Sequence, residues 1–146
     1  MAAGFRVVHV LLRDRFGRLL LQQIAAEHDR HALQWGSSVA GYVQAGESYE
    51  SAARRKVAEE LGIAELPLRH LGTTSMRDGA ATKFIGVFLG AIDEGSLHPN
   101  PSDFAAVDLV PLSDLQRELA CGSRQFTPTF EQVFRFAWKT LAGAPQ

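Results

Sequence analysis

The chain has 146 residues, of which 46% are apolar and 21% are charged, as in an ordinary folded protein of single-domain size. Its formal net charge of −1 excludes a general electrostatic attraction to nucleic acids or anionic membranes, so a phosphate-bearing ligand has to be held locally. The one cysteine, Cys121, excludes an internal disulfide, and no apolar run approaches the length of a membrane span. We expect a single domain over residues 1–146 in the cytoplasm, without membrane contact, and an oligomer is compatible with the sequence.

The first half of the chain predicts a β-hairpin, a loop and a helix. Residues 5–12 and 19–24 are rich in β-branched and aliphatic side chains and flank a turn. Residues 34–43 are expected to form irregular extended chain. A helix is predicted over residues 48–61, with Ser48 as its N-cap and Gly62 just past its end.

The second half predicts three more strands, over residues 66–76, 81–92 and 105–110. The second of these is almost wholly apolar, which suits a central strand of a sheet. Residues 93–102 are rich in Gly, Pro and Asn and are expected to form a loop.

Two further helices follow. Ser113 is the predicted N-cap of a short helix over residues 113–119, and Thr127 and Pro128 are the cap and first turn of the last helix. The last helix has an apolar stripe formed by Phe130, Val133, Phe134, Trp138 and Leu141. Strands flanked by two substantial helices imply an α/β sandwich with a mixed sheet.

The strongest functional signal lies in the predicted helix over residues 48–61. Glu59 and Glu60 are adjacent and lie about 100° apart around a helix, so both reach one side of it. Two neighbouring carboxylates, which we expect to be partly exposed, repel each other unless a cation lies between them, and oxygen ligands suit magnesium or manganese. Arg55 precedes Glu59 by one turn and can hold its carboxylate in place.

The run from Gly41 to Ile63 resembles the signature of the Nudix hydrolase family, G-x5-E-x7-R-E-U-x-E-E-x-G-U, in which U is aliphatic. The matching residues are Gly41, Glu47, Arg55, Val57, Glu59, Glu60, Gly62 and Ile63. One fixed position differs, since Lys56 stands where the family has a glutamate. The resemblance implies a Nudix-type α/β/α sandwich with a mixed β-sheet, which agrees with the predicted order of elements.

The resemblance also implies a metal site. In the family, a divalent cation bridges the helix carboxylates and a substrate diphosphate, and water attacks phosphorus. Carried over by position, Glu59 and Glu60 are the helix ligands of Mg²⁺ or Mn²⁺, and the carbonyl of Gly41 joins them. Arg55 and Glu47 then orient these ligands.

Lys56 bears on this metal site because it places a positive charge within one turn of both carboxylates. A unit charge ~6 Å away costs a bound cation about 3 kcal/mol at an effective dielectric constant of 20. Two alternatives stay open: the side chain points outward, or its ammonium contacts the substrate phosphate directly.

Other residues extend the candidate site. Asp103 falls where family members often have a further ligand or base, although a turn-forming aspartate before a strand explains it equally well. Lys83 and Arg6 are candidates for phosphate contacts if their strands face the cleft.

His9 lies in an apolar strand and is expected to be a core residue rather than a metal ligand. Core packing is also expected for three aromatic residues, Trp35, Tyr42 and Phe126.

A narrower resemblance points to the Nudix branch that includes isopentenyl diphosphate isomerase, through the run WGSSVAG from Trp35, the Arg-Lys pair and the run QFTP from Gln125. The isomerases place a catalytic cysteine where this chain has Ala40, and a metal-binding histidine where it has Tyr42. Their acidic residues on the central strand correspond to Ala81 and Lys83. The resemblance therefore concerns the scaffold, because the acid–base pair that moves a proton on carbon is missing.

The sequence thus favours metal-dependent hydrolysis of a diphosphate linkage, in a nucleoside diphosphate derivative. The first alternative is a catalytically weak or inactive protein that binds a phosphorylated ligand, with Lys56 replacing a metal charge. An isomerase-like enzyme is the second alternative. The expected partner is a small phosphorylated molecule rather than a nucleic acid.

Overall fold

The computed structural model describes residues 3–27, 30–93, 95, 97–98 and 104–143. Their strands and helices follow in the order β1 (Gly4–Arg13), β2 (Arg18–Ile24), β3 (Trp35–Gly36), β4 (Val39–Tyr42), α1 (Tyr49–Leu61), β5 (Arg69–Asp78), β6 (Ala81–Ala91), β7 (Phe104–Pro111), α2 (Leu112–Cys121) and α3 (Pro128–Ala142).

The strands form one mixed sheet. Its main path runs β3-β2-β1-β6-β5, with β4 paired to β1 and β7 paired to β2. β1 and β6 are parallel, whereas the other pairs are antiparallel. β1 and β2 pair close to their turn, at Arg13↔Leu19. Nearer the N-terminal end of β1, at Val7 to Val10, its partner on that side is β4 instead. The sheet therefore has an opening between the β1/β4 part and the β2/β3 part.

Two apolar cores lie on opposite faces of this sheet. Successive side chains of a strand point to opposite faces, and β1 follows this rule. Val7 and Leu11 pack with α3, whereas Val8 and Val10 pack with α1. The result is the α/β/α sandwich with a mixed sheet that the sequence predicts.

Local signals predicted most helix ends correctly. The hydroxyl of Ser48 accepts a hydrogen bond from the backbone N–H of Ser51, and Gly62 ends α1 with φ of 71°. Thr127 caps α3 as predicted. The prediction for α2 was wrong at its start: the helix begins one residue earlier, at Leu112 after Pro111, and Ser113 is not its cap.

The prediction of irregular chain over residues 34–43 was also incomplete, because β3 and β4 lie there. Both strands are short, and their partners come from β1 and β2, which are distant in sequence. Among the helices that the structure describes, none is long and apolar enough to cross a membrane.

Candidate active site on helix α1

The apolar face of α1 fixes how the helix is rotated on the sheet. Ala52, Ala53, Val57 and Leu61 are buried in the core on this side, as the sequence predicts. Their packing turns the charged signature residues toward β4 and the loop before the helix.

Arg55 ties the helix to that loop. Its Nε and Nη2 atoms donate to the two carboxylate oxygens of Glu47 at 2.8 and 3.0 Å, and Nη2 also donates to the carbonyl of Tyr42 at 3.0 Å. Nη1 lies 3.4 Å from Glu59. The hydrogen bonds from Arg55 lower the pKa of Glu47 to about 2. Arg55 therefore stays paired over the whole physiological range and orients Glu59.

Lys56 points into the site. Its Nζ lies 3.1 Å from Glu60 and 3.4 Å from Glu59. The stem of this side chain crosses Gly41, where an added Cβ would lie 2.5 Å from Lys56 Cε. A residue larger than glycine at position 41 would displace the lysine. Of the two open alternatives, the outward orientation is not the one in the structure.

Lys56 keeps its positive charge at physiological pH. Burial disfavours the ammonium, but the neighbouring carboxylates of Glu60 and Glu59 outweigh it and raise the pKa of Lys56 above its ordinary value. Glu60 is only 6% exposed, so the expectation of two partly exposed acids holds for Glu59 alone. Gln22 Nε2 also reaches Glu60, at 3.5 Å.

The carboxylates of Glu59 and Glu60 fit a divalent cation on the condition that Lys56 moves. Mg²⁺ commonly binds through one or two carboxylates together with ligand phosphates and waters, which Glu59 and Glu60 can provide. Within the described parts of the chain, no group of three or more His, Cys, Asp or Glu side chains could hold a metal ion. Since Lys56 touches both carboxylates, its ammonium has to move before a metal can take its place.

A recess opens beside these carboxylates, in the gap between the two parts of the sheet. Its volume is about 260 Å³, and Gly41 and Gln22 border both the recess and the carboxylate cluster. Residues from all the strands except β7, from α3 and from adjoining loops line it, among them Phe5, Val7, His9, Ile24, Ser37, Ala40, Tyr42, Asp78, Lys83, Thr127 and Thr129.

His9 is buried at the recess wall, which confirms it as a core residue. Its Nδ1 lies 2.8 Å from the hydroxyl of Ser37. Burial, with a further contribution from the charge of Lys83, lowers the pKa of His9 to about 3. His9 is therefore neutral at physiological pH and cannot act as an acid there.

The free energy of unfolding is expected to fall as the pH drops below 6.5, the ordinary pKa of a histidine. Between that value and about 3, the unfolded chain protonates His9 and the folded chain does not. The loss approaches 1.4 kcal/mol, roughly, for each pH unit. Urea denaturation from about pH 7 to 4.5 measures this slope. His9→Gln should flatten it, the exposed control His98→Gln should not, and equal slopes in both variants would contradict the assignment.

Of the two residues predicted to contact phosphate, only one lines the recess. Lys83 lines the recess. Arg6 lies outside it, on the α1 side of β1, with its guanidinium 5.4 Å from the ring of Tyr49. Asp103 lies outside the described residues. Tyr42 is 69% exposed, so the expectation that it packs in the core was wrong, whereas Phe126 is buried.

Several residues of the site were not identified from the sequence. Gln22, Arg30, Ser37, Asp78 and Thr129 come from different elements and carry no local motif. Only the tertiary arrangement of distant strands, loops and α3 brings them together.

Comparisons with known proteins agree with this geometry. A family model for the NUDIX domain matches residues 4–130. An isopentenyl-diphosphate Delta-isomerase of Nocardia farcinica is 35% identical over 140 residues, which cover 90% of this chain and 78% of that protein. An uncharacterized Nudix hydrolase of Streptomyces coelicolor is 31% identical over 141 residues, which cover 94% and 77%.

A crystal structure of a Deinococcus radiodurans protein matches with a TM-score of 0.77 and 28% identity, over 90% of this chain and 82% of that one. The family model covers most of the sequence, and the signature residues converge on α1 beside a mixed sheet. On these grounds the chain belongs to the Nudix family.

Proposed function

We propose that this protein hydrolyses a diphosphate linkage in a nucleoside diphosphate derivative, at the carboxylates of Glu59 and Glu60. Its membership of the Nudix family and its hydrolase relatives support cleavage of pyrophosphate linkages in general. The observation that carries the proposal is the convergence of Glu59, Glu60 and Lys56 next to a recess large enough for one ring system.

The reaction replaces one P–O bond by another. A water oxygen bonds to phosphorus, the bridging P–O bond breaks, and the water protons remain with the two phosphate products. Mg²⁺ or Mn²⁺, when bound, supplies neutralisation of the diphosphate charge. Glu59 and Glu60 would hold that cation, while Arg55 contacts and orients Glu59, and Glu47 fixes Arg55. Once displaced from the carboxylates, the Lys56 ammonium would be available to contact a phosphate oxygen.

A second candidate is a protein that binds a phosphorylated ligand and turns it over slowly or not at all. The position of Lys56 favours it, because an ammonium at 3.1 and 3.4 Å from the two carboxylates already neutralises part of their charge. In this alternative, Lys56 replaces the cation as the positive group that meets the phosphate.

Isomerase chemistry is the third candidate, since a relative of that name is 35% identical. Ala40 and Tyr42 line the recess where the isomerases are expected to have a thiol and an imidazole. A methyl group and a phenol provide neither the catalytic thiol nor the metal-binding imidazole of the isomerases.

We therefore expect no incorporation of solvent deuterium into isopentenyl diphosphate when the protein is incubated with it in D₂O. Mass spectrometry of the recovered diphosphate measures the exchange, with an active isomerase as the positive control. Exchange above the level of a protein-free sample would show that an unrecognised acid–base pair exists.

The proposed hydrolysis is tested by a screen of nucleoside diphosphate derivatives with Mg²⁺ and with Mn²⁺. A coupled phosphatase releases phosphate from products that carry a terminal phosphate, while the intact derivatives resist it. Metal-dependent release from at least one derivative is expected. Tight binding of a derivative without release would support the second candidate instead.

A further inference from the structure

The far wall of the recess carries a charged group that the diphosphate site does not use. Lys83 Nζ donates a hydrogen bond to the hydroxyl of Thr129 at 2.8 Å and lies 3.6 Å from a carboxylate oxygen of Asp78. Arg30 contacts the same carboxylate at 3.1 Å. The Lys83 side chain is 16% exposed, so it is held in place rather than free in solvent.

Sheet register separates Lys83 from the carboxylate cluster. Lys83 of β6 pairs with Phe5 of β1, whereas Gly41 of β4 pairs with Val8 of β1. β6 and β4 lie on opposite sides of β1, so about 10 Å, two strand spacings, separate their backbones. The two lysines also use opposite faces of the sheet, because Lys56 crosses Gly41 on the α1 side. A phosphate at Glu59 and Glu60 is therefore out of contact with Lys83.

The recess between these two points has both apolar and polar lining. Phe5, Val7 and Ile24 provide apolar surface. The Lys83 ammonium has three N–H donors, and its contacts with Thr129 and Asp78 leave donor capacity for a ligand. A hydrocarbon chain would cover the charges of Lys83 and Asp78 without replacing their contact with water, which is costly. A flat ring with hydrogen-bonding atoms at its edge satisfies both surfaces.

We propose that Lys83, positioned by Thr129, is the residue that recognises the nucleobase of the nucleoside diphosphate derivative, by donating a hydrogen bond to an acceptor at the edge of the ring. Lys83 thereby becomes a residue that determines specificity instead of a phosphate ligand. The inference rests on the proposed function insofar as the diphosphate binds at Glu59 and Glu60.

The test is calorimetric binding in Mg²⁺ buffer, which requires no turnover. The probes are the α,β-methylene diphosphates of adenosine, guanosine, cytidine and uridine, with methylenediphosphonate and isopentenyl diphosphate for comparison. At least one nucleoside analogue should bind more tightly than the last two probes. Lys83→Met should weaken its binding by about 10- to 100-fold, as expected for a lost hydrogen bond from a charged donor. Thr129→Val should cause a smaller loss.

Binding of methylenediphosphonate should not change in Lys83→Met, and Lys139→Met, which removes an exposed lysine from α3, should leave every probe unaffected. An equal loss for methylenediphosphonate would make Lys83 a phosphate ligand and overturn the inference. So would isopentenyl diphosphate binding as tightly as every nucleoside analogue, or no binding of any nucleoside analogue.

Different results would refute the proposed hydrolysis and the assignment of Lys83 as a specificity residue. Lys83-dependent binding of a nucleoside analogue, without hydrolysis of any derivative in the screen, would refute the proposed hydrolysis and retain the specificity inference. Hydrolysis of a derivative with no effect of Lys83→Met on its binding would do the reverse.

Discussion

Glu60→Gln is expected to lower metal-dependent turnover by at least roughly 100-fold, since even residues that only support a metal ligand often contribute 10- to 100-fold. The amide keeps the shape of the side chain but removes the charge that holds a cation. Because Glu60 is 6% exposed and pairs with Lys56 and Gln22, the free energy of unfolding should also fall, by about 1–2 kcal/mol. Steady-state hydrolysis and urea denaturation measure the two effects.

Glu50→Gln is the matched control on the same helix. Glu50 lies in the first turn, is more than half exposed and pairs with Arg54 at 3.0 Å, away from the cluster. Its variant should keep wild-type turnover. If Glu60→Gln hydrolysed its substrate as fast as Glu50→Gln does, α1 would not carry the active site.

Lys56→Glu is expected to tighten metal binding by roughly 1–3 kcal/mol, or about 5- to 150-fold in the dissociation constant. The substitution removes the ammonium that contacts Glu59 and Glu60, and it adds the carboxylate that the family signature has at this position. Turnover should rise if the remainder of the site is intact. Calorimetric titration with Mn²⁺ and hydrolysis rates measure both quantities.

Lys56→Gln separates the two causes, because it removes the positive charge without adding a ligand, and it should give an intermediate affinity. Tighter metal binding without faster turnover in Lys56→Glu would favour the protein that only binds its ligand. Lost turnover in both variants would show that Lys56 contacts the substrate phosphate. Unchanged metal affinity would mean that the contacts of Lys56 with the carboxylates do not hinder the cation.

The parts of the fold that depend on local chemistry could be predicted from the sequence. Ser48 and Gly62 cap α1 through contacts within four residues, and Thr127 does the same for α3. The apolar run in β6 predicted a central strand correctly. By contrast, β3 and β4 are short, and what makes them strands is pairing with β1 and β2.

In the candidate site, too, some positions follow from local sequence and others depend on long-range contacts. Arg55, Glu59 and Glu60 share one helix, so their proximity follows from helical spacing. The direction of Lys56 does not, because its flexible stem occupies the space that the absent side chain of Gly41 leaves, fifteen residues earlier and on another element.

The recess depends even more on long-range contacts. Lys83 and Thr129 are 46 residues apart, and His9 and Ser37 are 28 apart, yet each pair is within hydrogen-bonding distance. Without the strand register, Lys83 could be predicted as a basic residue near the site, but not assigned to the wall opposite the phosphates.

The most direct test of the central claim, that Glu59 and Glu60 bind the diphosphate through a cation, is a crystal structure with Mn²⁺ and the nucleoside analogue that binds most tightly. Anomalous scattering locates the manganese independently of the protein coordinates. We expect a manganese peak in contact with carboxylate oxygens of both residues and with phosphate oxygens, and Lys56 Nζ displaced from its position between them. A phosphate group bound elsewhere, with Lys56 still paired to Glu59 and Glu60, would contradict this account.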